Sequence, residues 1–136
     1  LKFTIKLIQI DSWQVIWLRY VMSKVLIIED QQDICFLLTT LAKQRKIYPD
    51  CVQTITEALP LLRTTDYNVI FLDSNSPYGL NTEYIDKLKR YSNSKLFVFT
   101  AFGNDEIETL GLQKGAYAFI HKPFSYYDIQ QIFQSL

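Results

Sequence analysis

Five side chains in this sequence could together handle a phosphoryl group: Glu29, Asp30, Asp73, Thr100 and Lys122. Each has a plain reading when taken singly. Acids begin helices, an Asp after a strand starts a turn, Thr ends strands, and Lys sits on surfaces. As a group they are harder to dismiss. Three clustered carboxylates repel one another unless a divalent cation neutralises them, and oxygen ligands suit Mg²⁺. One carboxylate can then attack a phosphoryl group while the hydroxyl and the ammonium hold its oxygens. That chemistry requires a fold that brings the five to one place.

The periodicity of the chain supplies such a fold. Val69-Ile70-Phe71-Leu72 is a short apolar run rich in β-branched and aromatic residues, the pattern of a strand buried on both faces. It stops at Asp73, and Ser74 to Pro77 make a loop. Upstream, Val25 to Ile28 is a strand ending at Glu29 and Asp30. Ile34, Leu37, Leu38 and Leu41 stripe the helix that follows. Tyr48 to Val52 is a weak strand that Pro49 assigns to a sheet edge. The next helix carries Ala58, Leu61 and Leu62, with Thr56 as N-cap and Pro60 in its first turn. Residues 82–91 form a helix with Tyr84, Ile85 and Leu88 inward, and Leu96 to Thr100 is the fourth strand. Asp105 to Lys114 is a helix closed by Gly115, Ala116 to His121 is the fifth strand, and Ile129, Ile132, Phe133 and Leu136 stripe the last helix. Five βα units with such short connections predict an α/β fold, a doubly wound parallel sheet with helices on both faces. Its strands then end along one edge, where such sheets bind ligands. Four of them bring the five side chains there.

Composition narrows the remaining classes. The chain has 136 residues, 49% of them apolar, and fourteen basic against fourteen acidic side chains. It is long enough for one well-cored domain, and its zero net charge gives no electrostatic footprint for nucleic acid. Cys35 and Cys51 lack metal-ligand spacing and read as free thiols of a cytoplasmic protein. His121 is the single histidine, which excludes histidine-rich metal sites, and it reads as a strand-end residue. Residues 1–21 differ from the rest: Leu1, Phe3, Ile5 and Leu7 alternate like a strand, then Trp13, Ile16, Trp17 and Tyr20 fall at helical spacing. Lys6, Asp11 and Arg19 rule out a membrane span there. With Met22 just before the first strong strand, 1–21 is expected to be an upstream or added extension and 22–136 the domain; the alternative is an apolar arm that packs on the domain or on a partner.

Several motifs, in this order and spacing, resemble the receiver domain of two-component response regulators. They are VLIIED, the Glu57-Ala58-Leu59 of the second helix, FLDSNSP, Phe99 to Ala101, and KGAYAFIHKPF at Lys114 to Phe124, covering Lys24 to Leu136. The resemblance implies the five-stranded, flavodoxin-like (CheY-like) form of the α/β fold. It also implies a phosphoacceptor that assists its own phosphorylation and dephosphorylation, rather than an enzyme in the ordinary sense. Asp73 would take a phosphoryl group from the phosphohistidine of a sensor histidine kinase or histidine phosphotransfer protein. Asp30, Asp73 and the backbone carbonyl of Asn75 would bind Mg²⁺, with Glu29 assisting through water. Lys122 would contact the phosphoryl oxygens ahead of a cis Pro123, Thr100 would swing toward the phosphate, and Phe119 would move inward behind it. A downstream target or a second copy would dock on the fourth-helix to fifth-helix face, near Tyr117, Tyr126 and Tyr127. Neither nucleic acid nor membrane would be bound directly.

Some positions depart from the common pattern. Asn81 stands where Gly is usual, Gly79 lies two residues after Pro77, Glu29 replaces Asp, and the bulky Phe102 stands two residues after Thr100. Phe102 is expected to restrict water and prolong the phosphorylated state, a lifetime that Phe102→Glu should shorten. The rival folds fit less well. A nucleotide- or flavin-binding domain needs glycines after the first strand, where IIEDQQD has none. A haloacid-dehalogenase-like phosphatase expects a second Asp where Asn75 stands. Within the receiver fold, the chain could also serve as a phosphorylation-independent interaction module or as the receiver fragment of a longer DNA-binding regulator.

Overall fold

A computed structural model describes residues 11–14, 23–74, 81–101 and 104–136. The apolar runs form strands β1 (Val25–Ile28), β2 (Asp50–Val52), β3 (Val69–Asp73), β4 (Lys95–Thr100) and β5 (Ala118–His121). Between and after them lie helices α1 (Gln32–Lys43), α2 (Ile55–Thr64), α3 (Glu83–Tyr91), α4 (Asp105–Gln113) and α5 (Tyr126–Gln134). The strands pair in parallel in the order β2-β1-β3-β4-β5, so the predicted doubly wound sheet is the observed one.

The two-residue period of the strands divides their side chains between two cores. Val25, Ile27, Phe71, Phe97 and Phe99 pack against Leu38 and Leu41 of α1 and Ile129 and Phe133 of α5. Leu26, Ile28, Ile70, Leu72 and Val98 pack against Ala58 and Leu62 of α2 and Ile85 and Leu88 of α3. On the first side Phe71 is the hub, its ring centroid 5.6 Å from Phe97, 5.5 Å from Phe99 and 5.6 Å from Phe133. The central strands are thus covered on both faces. Among the described residues no helix is long and apolar enough to cross a membrane.

Four local expectations need correction. Helix α2 starts earlier than Thr56: Thr54 is its N-cap, its side chain accepting from the Glu57 N–H at 3.2 Å, and Pro60 lies inside the helix. The Glu57 carboxylate also accepts from the Gln53 N–H at 2.8 Å, so a double cap fixes the start of the helix at Thr54, and Pro60 forgoes one backbone bond inside it. Leu37 and Tyr84 are exposed rather than inward, because each lies at the margin of its helix's apolar stripe and the sheet covers only the centre. Cys35 and Cys51 are not free: they form a disulfide between α1 and β2, with Cα atoms 6.6 Å apart. Strand β2 pairs with β1, and α1 leaves directly from β1, so the first turn of the helix stands over the edge strand. Nothing in the spacing of the two cysteines reveals that neighbourhood.

At the N-terminus, Asp11 and Gln14 cap each other's N–H groups at the start of a helical turn, and Trp13 is exposed. The expected strand at residues 1–7 and the stripe through Ile16, Trp17 and Tyr20 lie outside the described residues.

Candidate functional site

The chain leaves β1 toward β2 on one side and returns to β3 on the other, so the crevice between the ends of β1 and β3 is the switch point of the sheet. Glu29 and Asp30 follow β1 and Asp73 is the last residue of β3. Their carboxylates meet there, each offering an oxygen within 4.8 Å of the others. Glu29 is held inward: its N–H donates to the Val52 carbonyl at 2.9 Å, and its carboxylate accepts from the Gln31 N–H at 2.9 Å. It is 3% exposed, whereas Asp30 next to it is exposed.

Strand register brings the other groups. Asp73 stands opposite Phe99, one residue before Thr100, and Thr100 stands opposite His121, one residue before Lys122. The Lys122 N–H donates to the Thr100 carbonyl at 2.8 Å, extending the ladder by one bond. The Lys122 ammonium then reaches Asp73 Oδ1 at 2.7 Å, where the carboxylate is only 2% exposed. Ser74 clips the end of β3 to β4, its N–H and hydroxyl both donating to the Phe99 carbonyl at 3.0 and 2.7 Å. No pattern in the sequence announces this clip, because a Ser after a strand-ending Asp carries no signal of its own. The Lys122–Pro123 peptide bond is cis.

The electrostatics of the crevice are unbalanced. Burial, and then the Asp73 carboxylate beside it, push the Glu29 pKa from 4.5 up to about 8; the Gln31 N–H and the Lys122 charge pull the other way. Glu29 Oε2 and Asp73 Oδ2 are both buried without a hydrogen-bond partner. Two orphaned carboxylate oxygens side by side call for a shared proton or a cation. An all-oxygen donor set of this charge fits a hard divalent ion.

Phe119, on β5, is half-buried and packs on the core beneath α3 and α4. Its ring lies against Gly111 of α4, where an added Cβ would come within 2.5 Å of Phe119 Cζ. Thr100 is 5% exposed at the end of β4. His121 is exposed at its strand end and contacts the Glu108 carboxylate of α4 through Nε2. The expectations for Asn75, Gly79 and Phe102 lie outside the described residues.

A five-stranded parallel sheet in this order, with an acidic crevice at its switch point, defines the receiver class of flavodoxin-like folds. The chain belongs to the response regulator receiver domain family, whose sequence profile matches residues 25–134. Such domains serve two-component signal transduction. The chain is 31% identical over 104 residues to the transcriptional regulatory protein CpxR homolog of Haemophilus influenzae, covering 76% of this chain and 45% of that protein. Against the phosphate regulon transcriptional regulatory protein PhoB of Escherichia coli the identity is 30% over 105 residues, covering 75% and 46%. It thus spans less than half the length of these relatives. The beryllofluoride-activated NtrC4 receiver domain dimer superposes with a TM-score of 0.75 at 30% identity, over 84% of this chain and 95% of that one. The chemotaxis protein CheY4 of Vibrio cholerae superposes with a TM-score of 0.72 over 84% and 98%, and at 21% identity it speaks for the fold alone.

Proposed function

We propose that residues 22–136 form a phosphoacceptor domain in which Asp73 takes a phosphoryl group from the phosphohistidine of a sensor kinase or phosphotransfer protein. The observation that carries this is the state of the Asp73 carboxylate: buried, one oxygen on Lys122, the other without a partner and facing two further acids. An Asp73 oxygen attacks phosphorus, the O–P bond forms as the N–P bond breaks, and the departing imidazole takes up a proton. Lys122 is already at the nucleophile and can pass to the new phosphoryl oxygens. The Thr100 hydroxyl, one residue beyond the position opposite Asp73, can hold another. Asp30, Asp73, the Asn75 carbonyl and, through water, Glu29 would hold Mg²⁺, which supplies charge neutralisation as the phosphoryl group arrives.

Phosphorylation then shifts a balance between two conformations through Thr100 and Phe119. The face of α4, β5 and α5 exposes Leu110, Leu112, Tyr117, Tyr126 and Tyr127, a surface suited to a target protein or a second copy. Incubation with acetyl phosphate and Mg²⁺, followed by intact mass, tests the chemistry. One phosphoryl group should be gained, and the gain should vanish with EDTA present or in Asp73→Asn. No gain at all would favour a phosphorylation-independent interaction module. Size-exclusion chromatography of the same samples reads self-association through the α4–α5 face. A second reading, the receiver part of a longer DNA-binding regulator, is favoured by the partial coverage of transcriptional regulators. The reading frame beyond Leu136 tests it.

A further inference from the structure

The Cys35–Cys51 disulfide has no part in the chemistry above, yet it stands beside the acidic crevice. Cys35 is in the first turn of α1, its N–H donating to the carbonyl of Gln31, the residue whose own N–H holds the Glu29 carboxylate. Cys51 is in β2, one residue before Val52, whose carbonyl accepts from the Glu29 N–H. The bond therefore straps together the two elements that grip Glu29 from either side. It also borders a cavity of about 350 Å³ whose wall includes Glu29, Gln32, Cys35, Phe36, Cys51 and Val52. Cys51 is exposed and Cys35 half-buried, so a small reagent can reach the pair.

We propose that Cys35 and Cys51 are a reversible thiol–disulfide pair whose oxidation locks the β1–α1 turn to β2 and tightens the acidic crevice for a divalent cation. The oxidant is a low-molecular-weight disulfide. The Cys51 thiolate attacks one of its sulfurs, forming a mixed disulfide and releasing one small thiolate, which takes the proton Cys51 gave up. The Cys35 thiolate then attacks the Cys51 sulfur, releasing the second small thiolate with the proton of Cys35. The protein loses two electrons and two protons, and the small disulfide becomes two thiols. The strap acts because the like charges of Asp30, on that turn, and Asp73, at the end of β3, push the turn away from β3. Holding that turn before the cation arrives removes part of the ordering cost of binding. The coupling to the cation rests on the metal site proposed above; the thiol exchange does not.

The full chain is equilibrated in buffers of varied reduced-to-oxidised glutathione ratio, alkylated with a maleimide and weighed intact. A single passage from two alkylated thiols to none is expected. Persistence of both thiols at every ratio, or a glutathione adduct that never resolves, overturns the pair. Mg²⁺ alone is then titrated calorimetrically into the reduced chain, the oxidised chain and Cys51→Ser, with Cys35→Ala as a second variant. The oxidised chain should bind about fivefold more tightly, an ordinary size for coupled sites, and both variants should match the reduced chain. Measurable but equal affinity in every form overturns the coupling alone. Absence of Mg²⁺ binding in every form overturns the coupling and the metal site together, with the thiol titration still deciding whether the pair exchanges.

Discussion

Glu29 is the residue whose burial sets the behaviour of the crevice. Its pKa is raised from 4.5 to about 8, chiefly by desolvation and then by Asp73. Between those values, without a divalent cation, the folded chain keeps a proton that the unfolded chain has released. Folding therefore loses stability as pH rises through that window. Urea unfolding in EDTA should give a lower midpoint at about pH 8 than at about pH 5, and Glu29→Gln should flatten the difference. Saturating Mg²⁺ should offset the loss, since the cation takes the place of the proton. An identical pH slope in native protein and Glu29→Gln would remove Glu29 from this role. The sequence pairs Glu29 and Asp30 as neighbouring acids, but their contrast is tertiary. Only the Val52 carbonyl and the Gln31 N–H turn one inward while the other stays exposed.

Among the elements, α4 is tied to Phe119, the proposed switch residue, by the contact between Gly111 and the Phe119 ring. Replacing an interior helical Gly by Ala ordinarily gains about 1 kcal/mol. Here the new Cβ would lie 2.5 Å from Phe119 Cζ, so the ring must leave its place. Gly111→Ala should lower the stability by about 1–3 kcal/mol, the usual range for overpacking, and should move the Phe119 ring resonances. A more stable variant with unmoved resonances would mean that the helix simply shifts aside. Helix α2 shows a contest settled locally. Pro60 invites a late start for that helix, yet the cap formed by Thr54, Gln53 and Glu57 starts it earlier. The cap sets where the helix starts and the helix runs on through Pro60, and both features are visible in the residues.

For the whole molecule, stability concentrates in the rings around Phe71. That residue is fully buried and touches Phe97, Phe99 and Phe133, which joins β3, β4 and α5. Phe71→Ala should cost about 3–5 kcal/mol, a large part of the roughly 5–15 kcal/mol typical of such domains. Because Asp73 lies two residues further along the same strand, the denaturation midpoint and phosphoryl uptake should fall together. Chemical denaturation and acetyl phosphate labelling of the variant check this; full uptake despite lost stability would separate the site from the core.

The strands, their order along the chain and the five polar groups at their ends were legible because burial on both faces leaves near-continuous apolar runs that polar residues sharply terminate. Parallel pairing then made their convergence a matter of topology. What the linear chain could not express is contact between segments that share no pattern. The Cys35–Cys51 bond, the Ser74 clip, the Phe119 ring over Gly111 and the inward turn of Glu29 each depend on which side chains meet across elements. Periodicity assigns a residue to a face, whereas the neighbour it finds there is decided by packing.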